Sequence, residues 1–356
     1  MTSVVTVIGT RAQMVKMAPV ILALEAKGAS VLVVASGQHA QSMHELAEDL
    51  GISHHFKSED FGLERHSILK LALWVVPSFL SMVSALRNAK KAGTEVCLVH
   101  GDTLSTILGA VAAKLAGLSV GHIESGLTSG QLFSPFPEEA IRRLVFRLAN
   151  RAFCPSDESA LLMRAFAGVE VIHTHGNTVE DALRSVAINS DGPRYGAVVS
   201  IHRYENIFER RRLSFLVQQL IDISDGMPIS FVLHPPTERQ LKRFDLYNVL
   251  HSAKGIELLP RMPYTHFVRL LAASELVITD GGSNQEELAV LGIPTIVMRP
   301  ASERPDGLGA NAVLEPDVGD IRSFILGGAF RDLARPARRE MGGASEKIAC
   351  SLISRA

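Results

Sequence analysis

Short apolar runs with β-branched residues alternate along this 356-residue chain with longer segments of helical spacing, and that alternation continues from one end to the other. The pattern predicts strands at Val4–Ile8, Val31–Ala35, Glu95–Val99, Ser119–Ile123, Ala152–Cys154 and Val171–His173. Helices are expected between them, with Met14, Met17, Val20, Ile21 and Leu24 forming one side of the first. Strands alternating with helices of this length predict a mostly parallel, doubly wound α/β sheet. The pattern restarts after a turn-rich stretch, Ser185–Tyr195, with strands at Gly196–Ile201, Ile229–Leu233, Ile256–Leu259, Leu276–Thr279 and Thr295–Met298. The chain therefore reads as two Rossmann-like, parallel-sheet domains, 1–184 and 185–340, with a cleft between them. A C-terminal helix, 341–356, is free to pack back on the first domain.

Composition narrows the function classes. Lys plus Arg number 36 and Asp plus Glu 37, a formal net charge of −1, and no basic, aromatic-interleaved stripe suggests nucleic acid. Cys97, Cys154 and Cys350 are scattered and odd in number, which fits a reducing, cytoplasmic setting and no CxxC metal spacing. The N-terminus lacks the cationic and apolar regions of a secretory signal. Leu69–Leu86 reaches the length of a membrane span, but Lys70, Pro77 and three serines favour a helix that is buried or faces a second subunit, with peripheral membrane contact the lesser alternative. No metal is expected, since HExxH is absent and the adjacent His54 and His55 should point apart.

The residues able to carry chemistry gather where predicted strands end. In open α/β sheets that edge is where ligands bind. His100-Gly101-Asp102 closes one strand and Glu124 the next, and a Gly-, Ser- and Pro-rich loop delivers Glu138 and Glu139 to a helix start. Carboxylates at such a rim suit proton transfer, because burial and neighbours tune them. The first βα turn, Gly9-Thr10-Arg11, with Lys16 on the following helix, reads either as a phosphate clamp or as a plain turn with two solvated cations. The GxGxxG and GxxxxGK[ST] patterns are absent, which disfavours a dinucleotide site or a P-loop. In the second half, His202 and Arg203 follow a strand, and His234 follows the next. Asp280-Gly281-Gly282-Ser283 opens a helix carrying Glu287, which suits an anion at bare backbone N–H groups and ribose hydroxyls on the acid. The same residues also read as a capped helix, with Asp280 or Ser283 as N-cap and Glu286 at N3.

Taken in order, GTRAQMVKMAP, SGQHAQSM, VHGDT, GHIESGL, SPFPEEAIR, HGNTVEDAL, SIHRYEN, DGGSNQEE, LGIPTIVMR and ERPDG resemble the UDP-N-acetylglucosamine 2-epimerase family over residues 4 to 314. The resemblance implies GT-B architecture and a UDP-sugar in the cleft. It implies C2 epimerisation of a UDP-2-acetamido sugar without metal or cofactor, by elimination of UDP to 2-acetamidoglucal and re-addition, for surface polysaccharide precursors. The hydrolysing branch, which releases N-acetylmannosamine and UDP, and a GT-B UDP-sugar glycosyltransferase are the alternatives. A homodimer is implied, and a UDP-diacetamido uronic acid is a further substrate candidate.

By the same resemblance Asp102, Glu124, Glu138 and His202 are the catalytic positions. Arg11, Lys16, Arg203, His234, Gly281, Gly282, Ser283, Glu287 and Arg304 would bind UDP-sugar. Gln38, His39, Gln41 and Arg65 resemble the second, activating UDP-GlcNAc site of the non-hydrolysing branch. The chain departs from the family pattern at Ala12-Gln13, where Pro-Glu is usual. It also has Thr128 in place of an arginine, and DGGS where DSGG is usual.

Overall fold

Apolar runs without polar alternation can be buried only if both faces of a sheet are covered, and the inner strands here are covered in that way, whereas the edge strands Glu170–His173 and Ile256–Pro260 stay partly exposed. In a computed structural model that describes residues 2–35, 40–55, 68–130, 137–186, 194–302, 306–337 and 342–353, the chain forms two units. The first comprises Met1–Ser185 and Met341–Ala356, the second Val186–Glu340.

The first unit holds β1 (Ser3–Ile8), β2 (Ser30–Ala35), β3 (Val96–His100), β4 (Ser119–Ile123), β5 (Arg151–Cys154) and β6 (Glu170–His173). They are parallel, in the order β2-β1-β3-β4-β5-β6. Val5, Val7, Cys97, Val99 and Val120 pack with Leu86 and Val145 from covering helices. Burial pushes the Cys97 thiol up to about 12, so it behaves as an apolar side chain. The second unit holds β7 (Ala197–Ser200), β8 (Ile229–Leu233), β9 (Ile256–Pro260), β10 (Leu276–Thr279), β11 (Thr295–Val297) and β12 (Ala312–Leu314), in the order β12-β11-β10-β7-β8-β9. Val199, Phe231, Leu276, Ile278 and Phe330 lie in its core. β12, only three residues long, is too short for a periodicity to register and was not expected from the sequence.

Each order reverses direction once. In the first unit the chain winds from β1 out to β2, then returns to place β3 on the other side of β1. In the second it winds from β7 out to β9, then returns to place β10 beside β7. The turns after β1 and β3, and after β7 and β10, therefore diverge at topological switch points, where α/β sheets open a crevice.

Other expected segments have the following outcome. The apolar segment forms the helix Ile68–Lys91. Met82, Val83 and Leu86 are buried, whereas Val76 and Leu80 are 60% and 61% exposed. No helix among the described residues is long and apolar enough to cross a membrane. The expected linker lies mostly outside the described residues, at 187–193. The last helix, Ala344–Ile353, belongs to the first unit. The Asp181 carboxylate accepts from the N–H groups of Gly343 (2.6 Å) and Ser345 (2.7 Å) at its start, and Lys347 donates to the Thr174 carbonyl at 3.1 Å.

Candidate functional site

The turn after β4 is bent by two unusual residues. Glu124 takes φ +61°, a left-handed conformation that a glutamate adopts only at a cost. Gly126 has φ +82°, and a Cβ there would stand 2.2 Å from the Ser159 carbonyl oxygen. This bend presents Glu124 to the turn after β3, where an added Cβ on Gly101 would meet Glu124 Oε2 at 3.6 Å. Glu124 is 11% exposed, and its Oε1 contacts Lys16 Nζ at 2.5 Å. Asn177 Nδ2, at the end of β6, donates to the same oxygen. His100 Nε2 lies 3.7 Å from Oε2. Glu124 thus sits among an ammonium, an amide and an imidazole.

Lys16 and Arg11 are not solvated cations. Lys16 is 4% exposed and committed to Glu124, and Arg11 donates to the Ser42 carbonyl at 2.7 Å. Asp102 pairs with Arg142 at 2.5 Å, and Arg142 also approaches Glu139 Oε2 at 3.6 Å. Glu139, at 0% exposure, accepts from the Thr128 hydroxyl and the Ser129 N–H, and from Arg143 Nε at 3.1 Å. Burial works to raise its pKa, but these donors and Arg142 together hold it below the ordinary carboxylate range. Glu138 is the contrast: its Oε2 is buried and finds no hydrogen-bond partner among the described residues. His122, whose Nε2 lies 2.9 Å from the Gly101 carbonyl and Nδ1 3.0 Å from Ser125 Oγ, is driven down to about 4 mainly by burial. It stays neutral and braces the Asp102 turn.

One side chain ties the two diverging turns of this switch point together. Gln13 Oε1 accepts from the N–H groups of Gly9 (2.8 Å) and Thr10 (3.1 Å) and from Ser105 Oγ (3.0 Å). Its Nε2 donates to the His100 carbonyl (2.7 Å) and lies 2.9 Å from both Thr103 Oγ1 and Thr106 Oγ1. A carboxylate could not donate to the His100 carbonyl, so the amide answers the departure noted at Ala12-Gln13. Gln13→Ala should orphan the Gly9 and Thr10 donors and destabilise the first unit by about 2–4 kcal/mol. Urea unfolding followed by circular dichroism reads this directly. A shift below 1 kcal/mol would show that the turns hold without Gln13.

In the second unit the switch point is organised by Asp280, which is fully buried. Its carboxylate accepts from the backbone N–H of His202 (3.0 Å) and Arg203 (2.9 Å) and from Asn206 Nδ2 (2.9 Å). It also faces His202 Nδ1 at 3.3 Å. His202 is 37% exposed and lies against His234, with ring centroids 4.5 Å apart and the ring planes tilted by 33°. Asn206 is held in turn by Arg212 Nε (3.0 Å), which forks onto Glu315 at 2.6 and 2.5 Å.

Neither Asp280 nor Ser283 caps the helix Gly282–Leu291. Gly281 is its N-cap and makes no side-chain cap bond, because Asp280 is turned inward. A Cβ on Gly281 would lie 3.2 Å from His202 Cε1, so the glycine keeps the helix start and the imidazole close. The first N–H groups of that helix have no intrahelical acceptor and suit an anion. Ser283 sits in its first turn, and Glu287 further along is buried at 4% exposure. Arg203 NH1 lies 3.9 Å from Glu205.

Gln38, His39, Arg65 and Arg304 lie outside the described residues, as does the side chain of Gln41. The expectation that His54 and His55 diverge is corrected: their Nε2 atoms lie 3.0 and 3.2 Å from the two oxygens of Glu25, across rings 4.0 Å apart. In a tight 3-10 turn the two long imidazoles bend back to one carboxylate. Sequence reasoning gave no site role to Asn177, Arg142, Asn206 or Arg212, and read Gln13 only as a departure from the family pattern. Asn177, Arg142 and Asn206 left a trace, inside the motifs HGNTVEDAL, SPFPEEAIR and SIHRYEN.

The sequence profile of the UDP-N-acetylglucosamine 2-epimerase family matches residues 22–348. UDP-N-acetylglucosamine 2-epimerase of Neisseria meningitidis is 30% identical over 332 residues, covering 87% of this chain and 86% of its own. That of Yersinia pestis is 30% identical over 329 residues, covering 87% and 85%. The crystal structure of a Neisseria meningitidis UDP-GlcNAc 2-epimerase bound to UDP-GlcNAc superposes with a TM-score of 0.76 at 26% identity, covering 99% of this chain and all of that one.

Proposed function

The chain belongs to the UDP-N-acetylglucosamine 2-epimerase family, and from that premise we propose that it inverts C2 of a UDP-2-acetamido sugar, of the UDP-GlcNAc to UDP-ManNAc type, without hydrolysing it. A base removes the proton from C2 while the C1–O bond to UDP breaks, which leaves 2-acetamidoglucal and UDP. UDP then adds back at C1, and a proton returns to C2 on the opposite face. Two acid/base groups are needed, one for each face of the sugar.

The observation that carries this reading is the unequal partnering of the three carboxylates of the first unit. Glu124 is met by Lys16 and Asn177, Asp102 by Arg142, and Glu138 keeps a buried oxygen with no partner among the described residues. An acid and a base serving the two faces of one carbon need unlike surroundings, and these three carboxylates have them. In the second unit, His202 and Arg203 beside the Gly281–Ser283 helix start supply donors for the departing diphosphate. His234 lies against His202, and Glu287 suits the ribose. Arg11 and Arg304 are assigned to the same ligand. Gln38, His39, Gln41 and Arg65 support the non-hydrolysing branch, in which a second UDP-GlcNAc activates. The proposal includes a cytoplasmic homodimer making surface polysaccharide precursors.

Incubation with UDP-GlcNAc in D₂O, followed by NMR, tests this. Deuterium entering C2 with UDP still attached is the expected result. Free N-acetylmannosamine would place the chain in the hydrolysing branch. An unexchanged C2 proton, with transfer only when an acceptor is added, would make it a glycosyltransferase.

A further inference from the structure

At the opposite end of the first sheet from the carboxylates, three metal-ligating side chains converge. Glu25 closes the helix Arg11–Ala26, and His54 and His55 lie in the 3-10 turn Ser53–His55. Their donor atoms all fall within 4.8 Å of one another. His54 Nε2 is 3.0 Å from Glu25 Oε1, and His55 Nε2 is 3.2 Å from Oε2.

The other nitrogen of His55 decides what this contact can be. His55 Nδ1 lies 3.2 Å from the Val31 carbonyl oxygen at the start of β2. A carbonyl only accepts, so Nδ1 carries the hydrogen, and in the neutral ring Nε2 presents a lone pair. That lone pair faces carboxylate lone pairs, an arrangement that repels unless a proton or a metal ion stands between them. A backbone carbonyl on the far nitrogen is also the support that orients metal-bound histidines. His55 is held ready for this, with a side chain 8% exposed.

We infer that Glu25, His54 and His55 form a zinc site on the first unit. Two imidazoles and one carboxylate suit Zn²⁺ better than Mg²⁺ or Ca²⁺, which prefer oxygen donors. Bond lengths for a tetrahedral zinc place neighbouring donors ~3.3 Å apart, close to the two nitrogen-to-carboxylate separations, 3.0 and 3.2 Å, each to a different oxygen of Glu25. His54 and Glu25 are 56% and 44% exposed, which leaves the fourth position to water. The ion would clip the end of the first helix, the edge strand β2 and the 3-10 turn to one another. Lys27, two residues beyond Glu25, pairs with Glu346 of the last helix.

The test is zinc alone, titrated into the tag-free, metal-stripped full chain against a chromophoric chelator, with Co²⁺ absorption as the geometric readout. One equivalent bound in a tetrahedral N/O field is expected. Glu25→Gln and His55→Ala should each weaken it by about tenfold or more. His44→Ala and His173→Ala should leave it intact, although these residues also meet carboxylates, Glu48 at 3.3 Å and Asp157 at 3.4 Å. Zinc should raise the melting temperature of the wild type and not that of Glu25→Gln. Absence of stoichiometric binding, or binding indifferent to the Glu25 and His55 substitutions, would overturn the site.

Discussion

Glu124→Gln is expected to lower deuterium exchange at sugar C2 by about 10²–10⁴-fold while leaving UDP affinity unchanged. The amide keeps the shape of the side chain on the φ +61° backbone, so the turn survives, but it cannot take or return a proton. The change also leaves the Lys16 ammonium, 4% exposed, without its carboxylate. Breaking a buried pair from one side costs about 3–5 kcal/mol, so loss of fold must be separated from loss of chemistry. Lys16→Met combined with Glu124→Gln does this, because it removes the stranded charge. Stability should recover in the double variant, and exchange should stay lost. Full exchange in either variant would remove Glu124 from the chemistry.

The second large effect centres on Asp280. Asp280→Ala strips the acceptor from two backbone N–H groups and from Asn206, all in a buried setting. Orphaning these donors is expected to cost about 3–5 kcal/mol in chemical unfolding. His202 Nδ1 also loses the carboxylate that faces it at 3.3 Å, so the imidazole loses its orientation. Asp280→Asn separates the two consequences. It keeps one oxygen for the N–H donors but sets an NH₂ against the others, so part of the stability returns and exchange stays low. Wild-type stability in Asp280→Ala would show that the loops after β7 and β10 are held by other means.

Much of this fold could be read before any coordinate was seen. The strands from β1 to β11 fell within one or two residues of the apolar runs that predicted them, because a parallel strand buried on both faces must be apolar along its length. The rim positions of Asp102, Glu124, His202 and Gly281 followed, since a polar or glycine residue that ends such a run marks the strand terminus. Helix phase was not readable in the same way. Glu138 and Glu139 are neighbours in sequence, and rotation of one residue puts Glu139 into the Arg142–Arg143 pair and leaves Glu138 outside it. The N-cap assignment of Asp280 failed for a related reason. Its best donor partners come from a turn 74–78 residues earlier in the chain, and they win over its own helix.

By itself the amino-acid order determined the kind of sheet, its winding in two halves and which residues stand at strand ends, because those follow from local periodicity and from the need to bury apolar runs. Tertiary structure alone decided who meets whom: Lys16 with Glu124 across 108 residues, Gln13 with the turn after β3, Asp280 with His202, and two histidines with Glu25. The first three pairings depend on strand order and on the switch points it creates, and the last on how the first helix packs beside β2. Strand order is a property of the packed sheet, and no local stretch of sequence carries it.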